Sequence, residues 1–290
     1  MNYGELTKTY SKFKIPVEKY ADYYIDTLIE AGIVDKRPIE LLKALTEKVG
    51  SVSSYKGQKM DEILEYFKKM DWNLNNIDYS KLCMNCTYTL LDFNNFKSDK
   101  FYISIDLKEA NWQAWKEIFS LKFGSWKEWT EKTFELDPYL SESKNFRQYI
   151  FGNTNPKRIQ KVQELMMQNV IEAMPNEIKG HIVSRKSDEL ILEFNYNPIV
   201  HWFHLNYIEK IVNYELNLTM FKIEYILNFG ETVKLKHSYT SPNAKEFKTK
   251  LTEVNGNRFF IHLKSIILNK PILEKDLFFE VNKKLAQWVI

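Results

Sequence analysis

Residues Lys100–Leu107 (KFYISIDL) alternate toward a buried strand, and Lys108–Phe119 (KEANWQAWKEIF) follows at once with Ala110, Ala114 and Trp115 at helical spacing. A strand that runs directly into a helix commits the chain to a mixed core, and it leaves an acidic residue, Asp106, at the carboxyl end of the strand. Upstream the pattern is helical. Tyr20, Tyr24, Ile25, Leu28 and Ile29 share one helical face, Gly32 breaks it, and Pro38 opens a second run through Leu41, Leu42 and Leu45. A third helix is expected over Met60–Lys69, with Asp61 and Glu62 in its first turn and Lys68 and Lys69 in its last, matching the helix dipole.

Downstream, Ser143–Ala173 reads as a helical region interrupted around Gly152–Pro156, with Ile159, Val162, Leu165, Met166 and Ile171 on its second part. His181–Arg185 and Leu190–Phe194 read as two strands joined by the tight turn Lys186-Ser187-Asp188-Glu189, which presents two carboxylates. The last third begins with a helix over Val200–Tyr214 and continues with strand-like runs at Met220–Phe229, Thr232–His237, Arg258–Leu268 and Asp276–Val281. The expected fold class is α+β, in three parts: a helical module over residues 1–95, a core of antiparallel sheet and helices over 96–200, and an α+β carboxyl-terminal region over 201–290.

Composition narrows the functional classes. With 44% hydrophobic and 27% charged residues the chain is not a disordered one. No long apolar stretch is present and Met1–Pro16 carries Lys8, Lys12 and Lys14, so neither a membrane span nor a secretory signal is expected. Cys83 and Cys86 form a lone CxxC; a zinc site would need two more ligands, for which only His201 and His204 are paired at short spacing, and the plainer reading is two reduced thiols in a cytoplasmic protein. Lys, Asn, Ile, Phe and Tyr are abundant, which suggests an AT-rich coding sequence and hints at a viral source.

Forty-one basic against 38 acidic residues leave a net charge of only +3, with no overall basic character to announce a nucleic-acid partner. Divided by segment, residues 1–95 carry 13 basic and 14 acidic residues, 96–200 carry 15 and 15, and 201–290 carry 13 and 9. Within the neutral middle, Ser143–Gln163 contains Lys144, Arg147, Lys157, Arg158 and Lys161 and no acid, the local footprint expected where phosphates sit.

An acid at a strand end and a second acid at a hairpin turn can hold two divalent ions about 4 Å apart. The order of Asp106 in SIDLKEAN, then KNFRQYIFG, then SDELILEF resembles motifs A, B and C of right-hand-palm nucleic-acid polymerases, the bacterial-repair family A above all, in a compact chain. The resemblance covers roughly Lys100–Phe194, about a third of the sequence. It implies a palm-like sheet, Asp106 and Asp188 as ligands of Mg²⁺ or Mn²⁺, Glu189 as an auxiliary carboxylate, Arg147 and Lys144 on the triphosphate, Phe151 stacking near the nascent base pair, and Asn111 sensing the sugar 2′ position. Lys157, Arg158 and Lys161 would contact the nucleic acid. The implied reaction is attack of a primer 3′-hydroxyl on the α-phosphate of a nucleoside triphosphate, with pyrophosphate leaving. Two departures stand out: Ser187 occupies the position where motif C usually has His, and the chain between motifs B and C is short.

Each of these residues also has a plainer reading. Asp106 would serve as the N-cap of the following helix, Asp188 and Glu189 as ordinary turn residues, and Phe151 as core. Trp112, Trp115, Trp126 and Trp129 fall within eighteen residues and at this spacing are expected in a core or a partner interface more than as base-stacking platforms. Besides a nucleotidyltransferase, the sequence is therefore compatible with a palm-derived nucleic-acid-binding protein that has lost catalysis, and with an interaction protein that engages a protein partner through its amino-terminal helices.

Overall fold

The computed structural model describes residues 15–70, 96–239, 247–252, 254, 256, 258–281 and 284–288; Cys83 and Cys86 lie outside them. The fold is α+β, as expected. In chain order the elements are α1 (Ala21–Glu30), α2 (Arg37–Val49), α3 (Val52–Lys69), β1 (Phe101–Leu107), α4 (Ala110–Phe119), α5 (Trp126–Phe134), α6 (Pro138–Ser141), α7 (Lys144–Gly152), α8 (Pro156–Ala173), α9 (Asn176–Lys179), β2 (Ile182–Arg185), β3 (Glu189–Phe194), α10 (Ile199–Val212), β4 (Leu216–Asn228), β5 (Glu231–Tyr239), β6 (Phe247–Thr252), α11 (Phe259–His262), β7 (Phe278–Val281) and β8 (Lys284–Gln287). A six-stranded sheet has the order β2-β3-β1-β4-β5-β6, and β7 pairs with β8. By its contacts the chain divides into two compact units, a larger one built from Leu45–Phe221 and a smaller one from the described residues up to Ala44, Lys222–Tyr239 and those beyond Lys245. The amino-terminal helices are shared out accordingly: α1 belongs to the smaller unit and α3 to the larger.

In the larger unit β1 sits between β3 and β4, antiparallel to both. Tyr102, Ile103, Ile105 and Leu107 are buried, while Ser104 and Asp106 supply the polar positions of one face. Helix α3 begins at Val52, eight residues before the expected start, because the Ser51 hydroxyl accepts a hydrogen bond from the Ser54 amide and caps it. Its Phe67 ring stacks on Trp115 at 3.9 Å and lies nearly parallel to Trp129 at 5.4 Å. Trp112, Trp115, Trp126 and Trp129 are each at most 1% exposed. They form the core of this unit, which settles their role: no tryptophan of the four is presented as a stacking platform.

In the smaller unit Val17, Tyr24, Leu28, Phe260 and Leu263 make the core. The stretch Arg258–Leu268, expected as a strand, is instead α11 followed by a π turn over Leu263–Ile267. A short apolar run has no decisive period of its own, and here the spacing of Phe260 and Leu263, which brings both onto α1, selects the helix. Asp276–Val281 is likewise only partly a strand: Glu274–Leu277 forms a 3-10 turn before β7.

Candidate functional site

Cross-strand register builds the site. Asp106, the last residue but one of β1, lies directly opposite Glu189 of β3 on one side and Asn217 of β4 on the other. Side chains directly opposite in an antiparallel pair share a face, with Cβ atoms about 4.5–5.5 Å apart. The β2–β3 turn reaches the same place, since the Leu107 amide donates to the Asp188 carbonyl at 2.9 Å and the Lys108 amide to Glu215 of the other neighbour, also at 2.9 Å. Residues 82 and 83 positions after Asp106 are thus brought beside it by the β1–β3 ladder, and Asn217 by the β1–β4 ladder.

The electrostatics follow from that placement. Partial burial, then the negative charges of Asp188 and Glu189, push the Asp106 carboxyl up to about 6, against a hydrogen bond from Asn217 and the attraction of Lys144, which pull it down. Like charges directly opposite in a sheet are destabilising. One of the three carboxylates is compensated by the protein itself: the Ser104 hydroxyl donates to one oxygen of Glu189 at 2.8 Å and the Lys186 ammonium to the other at 2.8 Å.

The expectation that Asp106 caps the next helix is not met. Helix α4 starts at Ala110, and its N-cap is Glu109, held in the left-handed region at φ 51° with no side-chain cap. Glu109 turns outward from the helix end, accepting from the Trp126 amide at 3.3 Å and pairing with the guanidinium of Arg147. Helix α7 is capped by the Ser143 hydroxyl on the Phe146 amide at 3.2 Å; from its first turn Arg147 reaches Glu109, two residues beyond β1, and Lys144 lies near enough to attract the Asp106 carboxyl. Three segments far apart in sequence, carrying Asp106, Lys144 with Arg147, and Asp188 with Glu189, converge.

Other expected site residues lie elsewhere. Phe151 is 2% exposed and packs its ring 5.2 Å from Trp126 and 5.9 Å from Trp115, so it is a core side chain and not a platform for a base. The Asn111 side-chain oxygen accepts from Gln163 at 2.9 Å and ties α4 to α8. Lys157, Arg158 and Lys161 occupy the exposed first turns of α8, and Lys161 pairs with Glu164 at 2.8 Å, the first acid after the basic stretch. His201 and His204 fall on α10, where the His201 ring stacks on Phe194 at 5.3 Å and accepts or donates to the Tyr196 hydroxyl at 2.9 Å. Among the described residues no three His, Cys, Asp or Glu side chains are disposed to ligate one ion.

Two residues that sequence reasoning passed over hold the site together. Gln113, 4% exposed, donates to the Lys108 and Glu215 carbonyls and accepts from the Glu215 amide at 2.9 Å, so one amide stitches the end of β1 to the start of β4. The sign of it was a polar residue among the inward-facing Trp112, Ala114, Trp115 and Ile118 of α4. Asn217 lies on β4, which starts four residues before the expected Met220; the alternation of Leu216, Asn217, Leu218 and Thr219 carried that signal. Comparisons of this chain with protein-family models, with curated proteins and with solved structures gave no match.

Proposed function

We propose that the chain is a compact palm-like nucleotidyltransferase that acts on nucleic acid by metal-assisted phosphoryl transfer. The observation that carries this reading is the Asp106 carboxyl at the end of a central strand, raised to about 6 by burial and by Asp188 and Glu189, with Lys144 near enough to attract it and Arg147 held on Glu109 three residues further along the chain. A carboxyl in such a field gains from a cation. The donors are all oxygens, which suits Mg²⁺ or Mn²⁺, and a site of two carboxylates agrees with the habit of Mg²⁺ to keep waters and substrate phosphate oxygens as its remaining ligands. Asp106 and Asp188 would hold the ion, which when bound supplies charge neutralisation for the α-phosphate and the departing pyrophosphate.

The chain's own groups do the rest. Lys144 and Arg147 neutralise and orient the triphosphate, Arg147 exchanging Glu109 for phosphate oxygens, and Glu189 stays on Ser104 and Lys186 as an auxiliary charge. Phosphoryl transfer needs positioning and charge compensation more than covalent participation, so this small set suffices. Primer extension by the full chain with Mg²⁺ or Mn²⁺ tests it: Asp106→Asn and Asp188→Asn should each lower extension at least about a hundredfold, the scale of losing one charge-stabilising contact.

A second reading is a palm-like scaffold that binds nucleic acid without catalysis. It is favoured by Arg147 already paired with Glu109, Glu189 with both oxygens engaged, and Phe151 in the core. Nucleic-acid binding that survives both substitutions, with no extension by the unaltered chain, selects it.

A further inference from the structure

Helix α10 (Ile199–Val212) is apolar on both sides. Leu205 and Ile208 are buried in the larger unit, whereas Val200, Phe203, Tyr207 and Ile211 are 57–61% exposed. Steps of three, four and four residues keep those four on one stripe of a helix with 3.6 residues per turn. A helix that is hydrophobic all round is ordinarily a buried one, so α10 carries a face that the single chain leaves uncovered. The stripe also forms one wall of a groove of about 620 Å³, where Phe203, Tyr207 and Ile211 stand across from Ala173, Pro175 and Ile178 of the α8–α9 corner.

The charge and the order of the stripe identify what covers it. Of the exposed residues of α10 only Lys210 is charged, and its ammonium lies 5.9 Å from the centre of the Tyr207 ring. A helix that rests on a lipid surface carries Lys and Arg along its polar face, and α10 lacks that margin. A centre poor in charge and rich in aromatic rings is instead the composition of a homodimer interface. The order Val200, Phe203, Tyr207, Ile211 has aliphatic ends and an aromatic middle, so it reads alike in both directions. Two copies laid antiparallel set Val200 of one against Ile211 of the other, and Phe203 against Tyr207, with the three- and four-residue steps of knobs-into-holes packing. A parallel pair would bring the two Lys210 ammoniums together. The antiparallel pair parts them by about nine residues, roughly 13 Å along the axis, which exceeds the screening length of about 8 Å.

The area agrees with this occupant. Two aromatic side chains of about 150–250 Å² each, more than half exposed, leave with Val200 and Ile211 on the order of 400 Å² of apolar surface per copy. Pairing the stripes buries about twice that, and the groove walls extend it toward the roughly 1,200–2,000 Å² of a stable interface. An isologous contact of this kind closes at two copies.

We propose that α10 and its groove are a homodimer interface, on which a second copy of this chain lays its own α10 antiparallel along the stripe. The interface is independent of any chemistry at the carboxylates.

Sedimentation equilibrium of the full chain from about 1 to 100 μM, a range that spans the weaker affinities of such interfaces, tests it. The mass should rise from 34.7 kDa toward twice that value. Phe203→Ser/Tyr207→Ser, at positions already exposed, should weaken self-association at least about thirtyfold with an unaltered circular dichroism spectrum. Val200→Glu and Ile211→Lys should each weaken it alone. Together they set opposite charges against each other at both ends of the antiparallel pair, so the double variant should associate more tightly than either single one. A chain that stays at 34.7 kDa throughout overturns the proposal, and flotation of that monomer with phosphatidylcholine vesicles would make a membrane surface the occupant. A dimer indifferent to Phe203→Ser/Tyr207→Ser overturns it as well, and a double variant weaker than both single ones overturns the antiparallel pairing.

Discussion

At Asp106 the fold holds a carboxyl that ionises near pH 6 where a free one ionises near 4. The sign of the consequence is definite. Between those values the native chain binds more protons than the unfolded chain, so stability falls as pH rises through this window and the penalty is complete above about 6. Asp106→Asn removes the charge and should raise the melting temperature above pH 7, with no gain below pH 4. Water still reaches this half-buried group, so the expected gain is of order 1 kcal/mol, about 2–4 °C. Melts recorded from pH 4 to 8 check it; a variant that melts below the parent at pH 8 would contradict the electrostatic account. The acid itself was legible as the end of an alternating strand. Its environment was not, because Glu189 and Asn217 arrive 83 and 111 residues later by strand pairing.

At the level of elements, the junction of β1 and α4 shows how a strand is made to stop. Glu109 takes a positive φ, a conformation that costs a non-glycine residue energy, and Gln113 reaches back from the next turn of helix to hold Lys108 and Glu215. Replacing Gln113 by Leu leaves the Glu215 amide and carbonyl without this partner inside the fold. A loss of about 1–3 kcal/mol is expected, read as a lower urea midpoint at an unchanged slope; a midpoint equal to the parent's would show that the stitch is dispensable. Element types were legible wherever the period was long, as in α3, α8 and α10. They failed at Phe259–Ile267, where one apolar run fits strand or helix and only the packing of Phe260 and Leu263 on α1 decides.

On the scale of the whole molecule, the smaller unit is assembled from segments at both ends of the chain, and a buried polar network joins them. Lys264 on the π turn donates to Asp276 at 2.6 Å and to the Tyr23 hydroxyl at 2.8 Å, while Tyr23 donates to the other Asp276 oxygen at 2.6 Å and the Leu273 amide to Asp276 at 2.7 Å. Desolvation, reinforced by Asp276, drives the Tyr23 hydroxyl far above its ordinary range, so it stays a donor at every physiological pH. Asp276→Ala strands a buried ammonium and should cost about 3–5 kcal/mol, whereas Lys264→Met/Asp276→Leu should recover most of the loss. Denaturant titration separates the cases; a double variant as unstable as the single one would show that the pair contributes more than its own desolvation cost. Periodicity, caps and turn residues act over a few positions, which is why the residue pattern was enough to locate the helices and most strands, to show that helix and sheet share a core, and to put an acid at the end of β1. Tertiary structure alone decided which residues became neighbours. Register set Asp106 beside Glu189, packing withdrew Phe151 and the tryptophans into the core, and long-range pairing placed Arg147 on Glu109. Burial and the field of distant charges exist only once the strands are laid side by side, and no local pattern encodes them.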